Sequence, residues 1–336
     1  GDLKPERTDS WEVGLDMKLF KDFNLGLSWY LANTFNQTFD PQISVSSGYT
    51  TIYLQTGYVR NTGLELSLGY GHTWNNNFRW DSNFTLSHNK NKIKELVRDY
   101  VHPETGELIN KDRLDVGGLG KARFILKEGG TLGDLYTQSD LKRDDNGMVD
   151  IDPTGIVAIE NNLPDIKLGS VFPKANLAWS NHFSWKGISL SALFTARIGG
   201  IVYSATEAAM DQYGVSERSA LARDNGGVLV NNRTLVDAQN YYTTIGSESG
   251  LPQYYTYNAT NVRLQEASIG YLIPRKWLGN VCDIQVSVIG RNLWMIYNKA
   301  PFDPESVATT DNYYQGIDYF MLPSTRNIGF NVKINF

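Results

Sequence analysis

The sequence holds a single cysteine, Cys282, so no internal disulfide can form, and the small disulfide-stapled secreted folds are excluded. No apolar run approaches the roughly 18 residues that a membrane-spanning helix needs. That excludes a helical membrane protein but leaves a β-barrel open, because half of each barrel strand is polar. Basic charge is not in excess: the formal net charge is -5, and no basic stripe points to nucleic acid as a partner. The four histidines, His72, His88, His102 and His182, stand far apart, and none has a second ligand at metal spacing. GxSxG and dinucleotide fingerprints are missing, and "GGLGK" lacks both the P-loop spacing and the following Ser/Thr. An enzyme is therefore not expected. The chain opens "GDLKPERTDSW", without Met or signal peptide, which reads as a fragment or a processed form.

What the sequence does contain is aromatic residues, 12% with 19 Tyr and 8 Trp, and long stretches of period two. In the closing "STRNIGFNVKINF", Ile328, Phe330, Val332, Ile334 and Phe336 alternate with Asn327, Gly329, Asn331, Lys333 and Asn335. "SWEVGLDMKLFKDFNLGLSWYLANTF" reads as a long hairpin, with Trp11, Val13, Leu15, Met17 and Leu19 on one face and Glu12, Asp16 and Lys18 on the other. Further hairpins are expected over 58–91, more weakly over 119–142 around Gly129-Gly130, over 167–198 through "WKG", and over 258–296 through "PRKWLGN". With the terminal strand this makes eleven.

Short turns near 21, 75, 130, 186 and 277 alternate with long segments rich in Asn, Asp, Gly and Tyr. In an up-and-down sheet this puts all short turns at one end and all long loops at the other, the asymmetry of outer-membrane barrels. Runs of roughly 11 to 14 residues are long enough to cross the bilayer on a tilt. Aromatics flank the short turns (Phe20, Phe23, Trp74, Phe78, Phe183, Trp185, Trp277, Phe336), as in an interfacial girdle. One strand breaks the pattern: with Ala267, Ile269, Tyr271 and Ile273 facing out, Arg263 faces out too, unless it snorkels near the loop end or a bulge shifts the register. The expected fold is all-β, a transmembrane antiparallel up-and-down β-barrel. Eleven strands are odd, and open edges are not tolerated in lipid, so the chain is expected to be part of a larger barrel.

"LKPERTDSWEVGLDMKLF", "NTGLELSLGY", "NVRLQEASIGYLIP", "IGRNLWMIYNKAPFDPES" and "LPSTRNIGFNVKINF" resemble the C-terminal half of the SusC/RagA family of TonB-dependent outer-membrane transporters of Bacteroidota. The resemblance runs from about Leu3 to Phe336. It implies a 22-stranded barrel of which residues 1–336 supply the last eleven strands, with an N-terminal plug and TonB box that lie outside this sequence. It also implies outer-membrane localisation, a SusD-like surface lipoprotein as lid, energy from TonB–ExbB–ExbD, and import of an oligosaccharide or, as in RagA-like members, a peptide. A barrel hydrolase or a purely structural barrel has less support. The terminal strand, with Gly329, Phe330, Val332, Ile334 and Phe336, resembles the signal read by the barrel-assembly machinery.

Two loop features are candidate binding sites. "DDNGMVDID" offers Asp144, Asn146 and Asp150 to a calcium ion, but the order departs from an EF-hand, and a solvated Asn-Gly turn accounts for it better. Tyr241, Tyr242, Tyr254, Tyr255 and Tyr257 crowd one long loop, and Tyr313, Tyr314 and Tyr319 another. A tyrosine ring suits stacking on sugars and adaptable contact with peptides, but equally lid contact or packing within the loops.

Overall fold

A computed structural model describes residues 3–39, 53–55, 57–102, 105–309 and 315–336. Among them, nine strands pair in chain order into one antiparallel sheet: β1 (Arg7–Leu19), β2 (Phe23–Phe35), β3 (Tyr58–Thr73), β4 (Arg79–Glu95), β5 (Ala175–Trp185), β6 (Ile188–Ile198), β7 (Asn261–Ile273), β8 (Asp283–Asn298) and β9 (Asn327–Asn335). No described helix is long and apolar enough to cross a membrane.

The register carries the alternation of each strand across the wall. Leu15 lies opposite Leu27, Leu27 opposite Leu66, and Leu66 opposite Leu86, continuing to Leu177 and Ala196. This face stays solvent-accessible in the isolated chain, Trp11 at 74% and Phe330 at 73%, as a lipid-facing surface must. The opposite face carries Glu12, Asp16, Glu65, Ser67, Thr85 and Ser87. Toward the short-turn end, the cross-strand pair Ser82 and Asn181 places polar side chains on the apolar face. Each is satisfied by an indole: Trp179 Nε1 donates to Ser82 Oγ at 2.9 Å and Trp80 Nε1 to Asn181 Oδ1 at 3.0 Å.

The short turns gather at one end. Between β5 and β6, Lys186 and Gly187 both take positive φ (48° and 84°), the requirement of a two-residue turn whose twist matches the strands. Rings line this end in sequence: Phe23 against Tyr70 (4.8 Å), Tyr70 against Trp80 (5.3 Å), Trp80 against Phe183 (5.9 Å), and Phe183 against Phe78 (6.0 Å). Phe23, Phe78 and Phe183 of the expected girdle thus stand in one series of rings.

The count of eleven strands is corrected to nine, because the pair expected around Gly129-Gly130 is not in the wall. Arg113–Leu119, Ala122–Lys127, Asp134–Thr137 and Ile166–Ser170 form a separate four-stranded sheet. Phe124, Ile125 and Leu126 are consecutive and all buried, so both faces are covered, unlike a strand with one face in lipid and one in water. The all-β expectation is also coarse. Residues 199–257 hold three short helices, α1 (Ala205–Gln212), α2 (Glu217–Asp224) and α3 (Ala238–Ile245), N-capped by Ser204, Ser216 and Asp237.

These loop elements share one hydrophobic core that includes Phe124, Leu135, Val171, Tyr203, Ala208, Ile245, Leu251 and Ile317. They dock on the polar side of the wall at its long-loop end: Leu132 N donates to Asn91 Oδ1 at 2.8 Å, and Arg197 Nη2 to the Val171 carbonyl at 2.6 Å.

Candidate functional site

The polar face of β1 to β4 forms a groove of about 420 Å³ lined by Glu12, Asp16, Ser28, Glu65, Ser67, Thr85 and Ser87. In a closed barrel this surface faces the lumen. Its carboxylates stand among serines and threonines, so the groove offers acceptors and small hydroxyls rather than a nucleophile with a base.

Above it, the docked loops are tied to the wall at Arg263. A bulge in β7 leaves Gln265 without a partner, so Leu193 lies opposite Glu266 but Phe194 opposite Leu264, which turns Arg263 to the lumen side beside Thr195. The bulge was one of the two ways out of the clash seen in the sequence, and it is the one the chain takes. The Arg263 side chain is 5% exposed and forks onto Asp303 (Nη1 to Oδ2, 2.9 Å; Nη2 to Oδ1, 2.7 Å), with Glu305 Oε2 at 3.0 Å and Asn292 Oδ1 at 3.3 Å. Asn292 sits at positive φ (52°) in a bulge of β8, and its Nδ2 donates to the Thr325 carbonyl at 3.1 Å. Burial would push the Asp303 carboxyl up, yet the bonds from Arg263, the Glu305 amide and Ser324 outweigh it and hold Asp303 below the ordinary range. "NVRLQEAS", "GRNLW", "DPES" and "LPST" thus meet at one guanidinium. This convergence leaves no local signal, because Arg263, Asn292, Asp303 and Thr325 stand far apart in the chain.

The tyrosines divide. Tyr255 is 1% exposed and its hydroxyl donates to Asp211 Oδ2 at 2.7 Å; Asp211 also accepts from Ser216 Oγ at 2.6 Å and Arg218 Nε at 3.0 Å. Burial and the Asp211 bond raise the Tyr255 hydroxyl far above its usual range. Tyr241, Tyr242 and Tyr254 pack against the loop core, and Tyr242 also lines a surface groove of about 310 Å³ beside Asp211 and Arg223. Tyr257 is half-buried, edge-on to Phe302. Tyr319 is 45% exposed and leans on the exposed Phe320. Tyr313 and Tyr314 lie outside the described residues.

Asp144 turns its carboxylate onto its own loop, accepting from the amides of Asn146 (2.9 Å) and Met148 (3.0 Å), and Asp150 faces Lys142 at 3.1 Å. Asp152 repeats the device with Thr154 and Ile156. These are consecutive Asx-type turns, and among the described residues no three His, Cys, Asp or Glu converge as a metal site. The terminal strand runs along β8, Phe330 opposite Val288 and Ile334 opposite Ile284.

Comparison with known proteins agrees with this geometry. "TonB-dependent receptor P3" of Formosa agariphila is 25% identical over 365 residues, covering 98% of this chain and 34% of its own length; "TonB-dependent receptor P26" of the same organism is 24% identical with the same coverage. The chain therefore spans about a third of these relatives. Among solved structures, it is similar to chains of the RagAB peptide transporter (TM-score 0.71, 18% identity, 98% of this chain and 35% of that one) and of the RagAB peptide importer in the closed-closed state (TM-score 0.69, 18% identity, the same coverage). The family described as TonB dependent receptor-like, beta-barrel, matches residues 1–293, and the chain, with its lipid-facing sheet and loop-covered polar face, belongs to that family of outer-membrane barrels.

Proposed function

We propose that this chain supplies part of the wall and the covering loops of a TonB-dependent outer-membrane importer whose cargo is a short peptide. The observation that carries the reading is the likeness of fold to the RagAB peptide transporter over 98% of the chain. The chemistry of the lumen side supports it. Carboxylates, hydroxyls and amides suit the ammonium groups and backbone amides of a peptide, while Tyr255, Tyr241 and Tyr254 spend their rings on the loop core rather than on a ligand. An oligosaccharide cargo is the second reading, favoured by the exposed ring pair Tyr319 and Phe320. On either reading Tyr242 and Tyr319 are the ligand- or lid-facing candidates, a SusD-like lipoprotein covers the mouth, and TonB–ExbB–ExbD supplies energy through a plug.

The test is to isolate the full-length protein from outer membranes and identify retained ligands and partners by mass spectrometry. Bound peptides with a surface lipoprotein are expected; bound glycan would replace the main reading with the second, and a barrel that comes alone and empty would end both. We further propose that the terminal strand is the barrel-assembly signal. Phe336→Ala should lower the outer-membrane level several-fold in fractionated cells while Asn335→Ala does not; equal levels would refute it.

A further inference from the structure

The lipid-facing side of the wall carries a feature that cargo transport does not use. On β4, His88, Lys90 and Lys92 continue the pleat phase of Phe84 and Leu86, with Lys94 just beyond. Lys90 lies opposite Thr62 and Lys92 opposite Arg60, and the register from Val59 to Thr73 has no shift, so these side chains share the face of Leu64, Leu66 and Leu68. Arg60, Lys90 and Lys92 therefore point outward, away from the lumen, and Lys94 stands beside them in the bulge between Ile93, opposite Val59, and Glu95, opposite Tyr58. Arg60 Nε donates to Asn33 Oδ1 at 2.9 Å, a neutral partner. The outward carboxylate of Asp9, two strands away, is taken by Arg7 at 3.0 Å. Like charges on neighbouring positions of a sheet oppose its formation, and among the described residues no ion pair to a carboxylate, Glu95 of the same strand included, offsets them.

The height of the cluster identifies what does. Lys90 follows Trp80 of the short-turn girdle by about ten residues, roughly 33 Å of strand at ~3.3 Å per residue, or about 25 Å of height at a tilt near 40°. That is the thickness of the apolar band, so the cations begin where the hydrocarbon ends at the long-loop, extracellular interface, with stems able to reach up into the headgroups. We propose that Arg60, Lys90, Lys92 and Lys94 form a binding site on the outer wall for the phosphate groups of an outer-leaflet glycolipid. A planar guanidinium and three ammonium groups within one patch suit a headgroup that carries more than one phosphate. Bound lipid cancels the repulsion and anchors β3 and β4 at the level where the loop assembly docks.

The experiment uses the full-length protein extracted from outer membranes in mild detergent, with native mass spectrometry and phosphorus analysis of the retained lipid. Wild type should carry about one phosphorylated glycolipid per barrel. Lys90→Gln/Lys92→Gln/Lys94→Gln should bind it on the order of a hundredfold more weakly, since each cation beside an anionic surface contributes about fivefold, and the triple Lys→Arg variant should retain it. Heat-modifiable migration on gels reports folding; should the triple Gln variant fail to fold, Lys92→Gln alone decides, with about a fivefold loss expected. Lipid-stripped protein titrated with inorganic phosphate separates the sources: binding as tight as that of the glycolipid would overturn a lipid site. Wild type without phosphorylated lipid, a Gln variant retaining as much as wild type, or an acidic protein found on the patch instead would overturn it too.

Discussion

Removing the Arg263 guanidinium leaves Asp303, 10% exposed, without its counter-ion, and losing one partner of a buried pair costs about 3–5 kcal/mol. Arg263→Ala should therefore release the 299–309 loop from the wall, read as rapid proteolytic nicking there while the wall stays heat-modifiable. Arg263→Lys should recover only part of the protection, because an ammonium cannot make the forked contact. A second carboxylate sets a pH limit. Arg113, bonded to Asp165 through Nε (2.7 Å) and Nη2 (2.9 Å), and Lys127 at 2.8 Å hold Asp165 down at about 2. A carboxyl lowered on folding contributes fully above its unfolded pKa of about 3.9 and loses that contribution as pH falls toward about 2, a loss on the order of 2 kcal/mol. The four-stranded loop sheet should open to protease across that window, and Asp165→Asn should be weaker at neutral pH yet flat in acid; an unchanged acid profile in the variant would remove Asp165 as the cause. Arg263 stood out in the sequence only as a misfit in its strand, and neither carboxylate was a candidate, each being one of 67 charged residues.

At the scale of elements, the bulge in β7 governs the face of everything before it. Deleting Gln265 restores strict alternation, and a one-residue slip turns each side chain to the other face. Arg263 would then face the bilayer, at up to about 2–4 kcal/mol for a cation near mid-membrane and less toward the interface, and Asp303 would lose its partner. The deletion should abolish the heat-modifiable band while Gln265→Ala leaves it intact. Hairpins in the wall were legible because each strand carries two chemically opposite faces. The loop helices were not, although Ser204 and Glu207 stand in the S-x-x-E order of a capping box and Ser204 Oγ does accept from the Glu207 amide at 3.0 Å. Eight-residue helices are too short to leave a clear periodic signal; their stability comes from packing on the loop core.

For the molecule as a whole, the outer edges of β1 and β9 pair with nothing among the described residues. Nine strands cannot close with unpaired edges in lipid. The 336-residue chain expressed alone should fail to give a heat-modifiable monomer, whereas co-expression with the remaining barrel strands should restore one; a stable monomeric barrel from this chain alone would contradict the open sheet. The hydrophobic core lies in the loop assembly, since the wall uses lipid in place of a core. Alternation along single strands, aromatic turns and the ratio of short to long connections were enough for the sequence to determine the barrel wall, its lipid face and its membrane. These are local signals, repeated at period two. Which segments leave the wall, that Arg263 faces inward, that four motifs converge on it, and that Arg60 joins three lysines on the outer rim were decided only by tertiary structure, because each depends on register and bulges that bring together residues distant in the chain.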